Sequence, residues 1–165
     1  MASSIDRLDA ELLGLLGEDP RTGVMDLAER LGVTRNTVQA RLTRLTETGV
    51  VAGHLPQVDL AAIGLPVAAQ LNVELAQGAL DDVVARLVEM PHVLEVHTTT
   101  GGADLVVRLA AADNAQLLTL VQEIHAVPGV QRTTTVVLLT TPVRLRVQPL
   151  LDHMTGSSGR GRAGR

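Results

Sequence analysis

The chain has 165 residues, of which 45% are hydrophobic and 19% charged, and its formal net charge at pH 7 is −4. It has no cysteine, which excludes disulfide bonds and thiolate metal sites. It also has no Phe, Tyr or Trp, which argues against base stacking on single-stranded nucleic acid. No apolar run is long enough to span a membrane and the first residues lack a signal-peptide pattern, so we expect a cytoplasmic protein.

The first fifty residues predict three helices. Leucines recur at helical spacing over residues 6–16, where Asp6 can cap the N-terminus. A second helix is predicted over residues 22–31, with Thr22 as its cap and Gly32 at its end. Thr34 is expected to cap a third helix that runs to residue 47, followed by a short strand over residues 50–53. This order predicts a helix-turn-helix domain of winged-helix type over residues 1–53.

The third helix carries the residues that point to DNA. Its apolar stripe is expected to be buried, and the opposite face carries Asn and Gln, which can form paired hydrogen bonds to adenine. Residues 33–46 contain three arginines and no acid, which indicates a local basic patch on an otherwise acidic chain. We therefore expect double-stranded DNA as a partner, with Arg41 and Arg44 on phosphates and the polar face near bases. The expected DNA-binding residues are Thr34, Arg35, Asn36, Thr37, Gln39, Ala40, Arg41, Thr43 and Arg44.

A second domain is predicted after a Pro- and Gly-containing linker over residues 54–65. Strands are expected over residues 66–75, 92–100, 104–111 and 130–140, with helices over residues 80–90 and from residue 113 onward. This β-α-β-β-α-β order predicts a ferredoxin-like α+β domain over residues 66–150. One more edge strand is expected over residues 143–147, and a disordered tail over residues 151–165.

The third and fourth strands of this domain are apolar on both faces. Since the helices of a ferredoxin-like fold cover one face of the sheet, the other face must also be buried. The simplest partner is a second copy of the chain, so we expect a homodimer. A dimer presents two recognition helices, which suits a roughly palindromic DNA site.

Short motifs in both halves resemble the Lrp/AsnC family of transcriptional regulators, also called feast/famine proteins. They include the runs LAER at residues 27–30, GVT at 32–34, TG at 100–101 and PGV at 128–130, and the resemblance spans about residues 5–140. It implies a sequence-specific, DNA-binding transcriptional regulator that is not an enzyme. It also implies assembly of dimers into tetramers or octamers, and an amino acid or related metabolite as the effector.

In this family the loop that matches residues 100–104 lines an effector cleft between neighbouring dimers. Two glycines allow close backbone approach to a ligand, and Asp104 can meet an ammonium group. The expected effector-binding residues are Thr98, Thr100, Gly101, Gly102, Ala103, Asp104, Thr133, Thr134 and Thr135. Alternatively, Gly101 and Gly102 form a hairpin turn that Asp104 caps. Gly102 and Ala103 replace the larger polar and aromatic residues frequent in the family, so the resemblance does not identify the effector.

Two other functions fit parts of the pattern. Lrp-like oligomers can wrap DNA, so a nucleoid-type protein of low sequence specificity is one alternative. A small ferredoxin-like dimeric enzyme is the other, since His92, His97 and His125 lie in the C-terminal half. No metal-ligand spacing and no nucleophile–base motif links these histidines, so we expect no enzyme, no cofactor and no metal site.

Overall fold

The computed structural model describes residues 5–53 and 56–156. It divides into two compact units, one made of Met1–Pro56 with Val143–Arg165 and the other of Gln57–Pro142. Within the described ranges no helix is both long enough and apolar enough to cross a membrane.

Three helices form most of the first unit: α1 (Arg7–Glu18), α2 (Val24–Leu31) and α3 (Arg35–Glu47). One apolar residue or more from each helix is fully buried, and these side chains make a single core of Leu12, Leu27, Ala28, Val38 and Leu45. The predicted helix-turn-helix is therefore confirmed, with α2 and α3 separated by a tight turn.

The helix ends follow the expected chemistry at two of three N-termini. The Asp6 side chain accepts the Asp9 backbone N–H and the Asp9 side chain accepts that of Asp6, which is a capping box. Thr34 accepts the backbone N–H of Thr37. The prediction that Thr22 caps α2 is wrong, because Gly23 occupies the cap position without a side-chain bond. The strand predicted over residues 50–53 is also wrong, since these residues form bends and irregular backbone.

The second unit contains four strands and two helices. They are β1 (Val67–Leu75), α4 (Leu80–Val88), β2 (Val93–Thr98), β3 (Leu105–Ala111), α5 (Asn114–His125) and β4 (Val130–Leu138). The sheet is antiparallel with strand order β2-β3-β1-β4. The predicted ferredoxin-like order is confirmed.

The core of this unit lies between the sheet and the two helices. Leu71 on β1 pairs with Val107 on β3 and with Thr135 on β4, so these residues lie on the core face of the sheet. Residues next to them in sequence point to the opposite face because strand side chains alternate. That opposite face is mixed: Gln70, Asn72 and Arg108 alternate in space with Val106 and Val136.

Gly129 lies in the turn before β4 and has a backbone φ of +98°, in the left-handed region that favours glycine. Its carbonyl accepts the backbone N–H of Ala76 at 2.8 Å. A Cβ at this position would lie 2.6 Å from the Ala79 Cβ and 3.3 Å from a Val83 methyl carbon. The turn is therefore packed directly against the start of α4.

The C-terminal segment belongs to the first unit and ends in a further helix, α6 (Gln148–Met154). The predicted edge strand over residues 143–147 is wrong, and so is the disordered tail over its helical part. Gln148 anchors α6 on α1, since its Nε2 donates to the Ala10 carbonyl at 3.0 Å and its side chain lies over Gly14. The remainder of the predicted tail, residues 157–165, lies outside the described residues.

Candidate functional site

The outward side of α3 is a polar surface backed by the core. Val38 and Leu45 are almost completely buried. On the opposite side of the helix, four exposed residues form what we name the α3 outer face, which consists of Asn36, Gln39, Ala40 and Thr43. A helix with one buried apolar stripe and one exposed stripe of amide and hydroxyl groups has the form of a major-groove reader.

At the start of this face, Thr34 and Arg35 are exposed. The Thr34 hydroxyl is 2.9 Å from that of Thr37, so both side chains are occupied in the cap of α3. Arg35 forms no ion pair with any residue in the described ranges, which leaves its guanidinium available to an anion.

Arg41 and Arg44 have a different environment. Arg41 Nη1 donates to the Asp6 carboxylate at 2.6 Å and to the Asp9 carboxylate at 2.8 Å. Arg44 Nη2 donates to the other oxygen of Asp9. The Asp9 side chain is completely buried, whereas that of Asp6 is 56% exposed. Residues 33–46 contain no acid in sequence, but two acids from the start of α1 meet these arginines in space, so the expected acid-free basic patch is wrong at these two positions.

The ionisation of this group, which we name the Asp9 cluster (Asp6, Asp9, Arg41 and Arg44), is set by its hydrogen bonds. Burial by itself raises the pKa of Asp9, but bonds from Arg44, from the Asp6 backbone and from Arg41 bring that pKa below its ordinary value. Bonds to Asp6 and then to Asp9 raise the pKa of Arg41 above its ordinary value. Asp9 and Arg41 are therefore both charged at neutral pH.

The Asp9 cluster opens onto the same side as the α3 outer face. Asp6, Arg41 and Arg44 line a shallow depression of about 340 Å³ together with Thr37 and Ala40. Part of each arginine side chain reaches this depression, because that of Arg41 is 25% exposed and that of Arg44 40%.

The second unit has a cavity of about 250 Å³ at one end of its sheet. It is bordered by the turn between β1 and α4 and by the ends of β2 and β3; its lining residues are Leu75, Ala76, Gln77, Gly78, Leu80, Thr98, Thr99 and Asp104. The side chains of Gln77 and Thr98 form no hydrogen bond with another residue of the described part. The cavity thus combines aliphatic walls with an amide, a hydroxyl and a carboxylate.

Asp104 both lines the cavity and holds its wall. One carboxylate oxygen accepts the backbone N–H of Leu75 at 2.7 Å, and the Asp104 N–H donates to the Val73 carbonyl at 2.9 Å. The Thr99 hydroxyl donates to the Ala103 carbonyl and closes the loop. Asp104 therefore ties the β2–β3 loop to the end of β1, and its second carboxylate oxygen has no hydrogen-bond partner among the described residues.

The predicted effector residues divide into three groups. Thr98 and Asp104 line the cavity, and Thr100, Gly101, Gly102 and Ala103 form the adjoining loop, in which Gly101 has a φ of +128°. Thr133, Thr134 and Thr135 lie on β4, at the opposite edge of the sheet from β2. Thr98, Leu105, Val73 and Thr133 form one cross-strand row, which places the two threonines about 14 Å apart at ~4.8 Å per strand.

Comparison with known proteins decides the family. The AsnC-type helix-turn-helix domain model matches residues 5–46, and the Lrp/AsnC ligand-binding domain model matches residues 68–147. The HTH-type transcriptional regulator AldR of Mycolicibacterium smegmatis is 34% identical over 125 residues, which are 74% of this chain and 73% of AldR. The chain belongs to the Lrp/AsnC family of transcriptional regulators.

Two solved proteins have the same fold as this Lrp/AsnC chain. AsnC of Escherichia coli superposes with a TM-score of 0.82 at 24% identity, covering 89% of this chain and 100% of AsnC. A transcriptional regulator of Neisseria meningitidis, solved as a complex with L-Met, gives a TM-score of 0.81 at 22% identity over 89% of this chain and 99% of that protein. These proteins share the helix-turn-helix and the ferredoxin-like domain.

Sequence reasoning missed two parts of the Lrp/AsnC sites. It placed Asp6 at the N-cap of the first helix but placed neither Asp6 nor Asp9 against Arg41 and Arg44, although an i,i+3 acid pair ahead of an arginine-bearing helix is a weak signal. It also missed Gln77 and Gly78 in the cavity wall. Gly78 has a positive φ of +82°. The available sequence signal for this turn was a glycine placed directly between a predicted strand and a predicted helix.

Two of the histidines on which the enzyme alternative rests, His92 and His97, contact neighbouring protein groups. His92 Nδ1 lies 2.8 Å from the Ala110 carbonyl and its Nε2 lies 3.2 Å from Gln116 Nε2. His97 lies 3.6 Å from Glu95, whose pKa is lowered by the hydrogen bond from Arg108. The named relatives are transcriptional regulators, which points away from catalysis.

Proposed function

We propose that this Lrp/AsnC protein binds a specific operator through the α3 outer face, with Asn36, Gln39 and Thr43 near base edges. The observation that carries the proposal is this exposed polar stripe directly opposite the buried Val38 and Leu45. Arg35 contacts a phosphate at the start of the helix. Arg41 and Arg44 approach the DNA backbone from the neighbouring depression, with their charge partly neutralised by the carboxylates of Asp6 and Asp9.

The DNA proposal is tested by selecting bound duplexes from a random pool and then measuring affinities. Asn36→Ala or Gln39→Ala should reduce discrimination between selected and random duplex by about 5–150-fold, because a paired base contact contributes about 1–3 kcal/mol. Arg35→Ala should weaken both duplexes alike and flatten the salt dependence by about 0.9 in log–log slope. Gln122→Ala, on the exposed side of α5, is the matched control. Equal affinity for selected and random duplex would favour a nucleoid-type protein instead.

We also propose that two copies associate through the sheet face opposite the helices. Val136 on this face is 47% exposed and Leu138 is 38% exposed, and Val106 lies between them and β2. A dimer would bury these side chains and place two α3 helices on one operator, and dimers would assemble further into tetramers or octamers. Analytical ultracentrifugation tests the assembly, and a monomer at micromolar concentration would refute it.

The proposed effector is an amino acid or a related small metabolite, bound at the cavity of the second unit. The free oxygen of Asp104 suits an ammonium group, while Gln77 and Thr98 offer polar contacts and Leu75 and Leu80 offer aliphatic ones. The L-Met complex of the Neisseria meningitidis regulator supports this choice of ligand class. Thr133, Thr134 and Thr135 contribute only from a neighbouring copy, because they lie at the far edge of the sheet.

Calorimetric titration with the twenty amino acids tests the effector. We expect heat from at least one, and a loss of binding in Asp104→Asn, which removes the charge but keeps an acceptor for the Leu75 N–H. Asp113→Asn is the matched control, because Asn also caps α5 well and Asp113 does not line the cavity. Binding of effector should change operator affinity, and operator should change effector affinity by the same factor. No heat from any amino acid would remove this part of the proposal.

A further inference from the structure

The Asp9 cluster joins two helices of the DNA-binding unit through charges that lie far apart in sequence. Asp9 is completely buried and uses both carboxylate oxygens, one for Arg41 at 2.8 Å and one for Arg44 and the Asp6 backbone N–H. Asp6 adds a second carboxylate on Arg41 at 2.6 Å. Two carboxylates therefore face two guanidinium groups, and the formal net charge of the cluster is zero.

This neutrality matters because the cluster borders the α3 outer face. Non-specific attraction to duplex DNA comes from cations that replace the counterions of phosphates. A guanidinium whose charge is already balanced by a buried carboxylate 2.8 Å away contributes little to that exchange. Arg35, which has no ion-pair partner among the described residues, contributes in full.

We infer that Asp9, with Asp6, is a specificity-determining residue: it neutralises Arg41 and Arg44 and so keeps the sequence-independent attraction to phosphates low. This inference rests on the proposed DNA-binding role of α3. Asp9 does not touch DNA, because its side chain is buried; it acts through the two arginines that it holds. Low phosphate attraction leaves the base contacts of Asn36 and Gln39 a larger share of the binding free energy.

The test is the salt dependence of binding to random duplex by full-length protein, measured by fluorescence anisotropy over roughly 50–200 mM salt. Asp9→Asn removes the buried charge, so each arginine that turns to a phosphate should steepen the log–log slope by about 0.9. From the low to the high end of this roughly fourfold salt range, the dissociation constant of Asp9→Asn divided by that of the wild type should then grow by about 3.5-fold per arginine. Discrimination in favour of the selected operator should fall.

Asp6→Asn is the second variant, and it decides the outcome if Asp9→Asn does not fold. Asp6 is exposed, and Asn caps a helix about as well as Asp, so this change removes one charge facing Arg41 without opening the core. Asp9 alone then faces both guanidinium groups, so the cluster has a net charge of +1, and we expect the slope to steepen by up to about 0.9. Adding Arg44→Ala to Asp9→Asn removes the arginine whose pairing with Asp9 is lost, while Arg41 keeps its bond to Asp6. This double variant has a cluster of zero net charge and should restore the slope of the wild type.

Glu11→Gln is the matched control, because it removes one negative charge from α1 at a residue paired with Arg7 rather than with α3. Steepening in the Asp9 and Asp6 variants but not in the Glu11 variant supports the inference. An unchanged slope in all three, or the same steepening in all three, overturns it. Absence of any duplex binding by the wild type would instead refute the proposed function.

Discussion

Gly129 offers a sharp test of how tightly the second unit is packed. Gly129→Ala forces a residue with a side chain into φ +98°, and its Cβ would lie 2.6 Å from the Ala79 Cβ. The left-handed backbone costs about 1–2 kcal/mol for a residue with a Cβ. Overpacking a tight site costs about 1–3 kcal/mol. We therefore expect the free energy of unfolding to fall by about 2–5 kcal/mol.

Gly78→Ala separates the two causes of this loss. Gly78 has a similar φ, +82°, but a Cβ there would meet no atom within 4 Å. Its variant should lose only the backbone part, about 1–2 kcal/mol. The difference between the two variants measures the contact with α4.

The assay is urea unfolding followed by far-ultraviolet circular dichroism, with the midpoints compared at equal slope. A double-mutant cycle adds Ala79→Gly, which removes the atom closest to the new Cβ and should recover part of the overpacking loss. Gly129→Ala and Gly78→Ala with equal losses, or no recovery from Ala79→Gly, would refute the packing argument.

Three further predictions concern charge, α6 and the core. Because the pKa of Asp9 is lowered, its charge stabilises the fold fully above its ordinary pKa of 3.8, and this stabilisation is lost as the pH falls through the lower folded-state pKa. In urea unfolding from neutral pH down to about pH 3, the difference in free energy of unfolding between wild type and Asp9→Asn should therefore shrink at the acidic end. A difference that stays constant with pH would contradict this prediction. Gln148→Ala should cost about 0.5–1.5 kcal/mol through the lost bond to Ala10 and speed amide hydrogen exchange in α6, whereas Met154→Ala, at an exposed site, should not. Leu71→Ala should cost about 2–5 kcal/mol in urea unfolding because it leaves a cavity, and Leu139→Ala, at a side chain that is 89% exposed, should cost almost nothing.

The elements that were predictable from sequence have local causes. Asp6 and Thr34 begin α1 and α3 because their side chains bond backbone N–H groups three residues on. The alternation in β1 and the helical spacing in α4 reflect which side of each element is buried, so pattern alone placed them to within a residue or two.

The errors have non-local causes. Val143, Leu145 and Val147 alternate with arginines like an edge strand, but this segment forms no strand. It leads into α6, which Gln148 holds against Ala10, 138 residues away in sequence. The pairing of Arg41 with Asp9 spans 32 residues and leaves only a weak signal in the sequence. The cavity is built from two stretches of the chain, residues 75–80 and 98–104, and only the β2–β3 loop carried a recognisable motif.

The return of α6 to the first unit has a practical consequence for dissecting this regulator. In chain order the second unit is an insertion within the first, so two connections rather than one leave it. A fragment that stops at Gly53 would lack the helix that covers Gly14 and the amide that donates to the Ala10 carbonyl. We therefore expect an isolated DNA-binding fragment to be more stable with residues 143–156 joined back by a flexible linker, and bulky fusions are better placed away from α6.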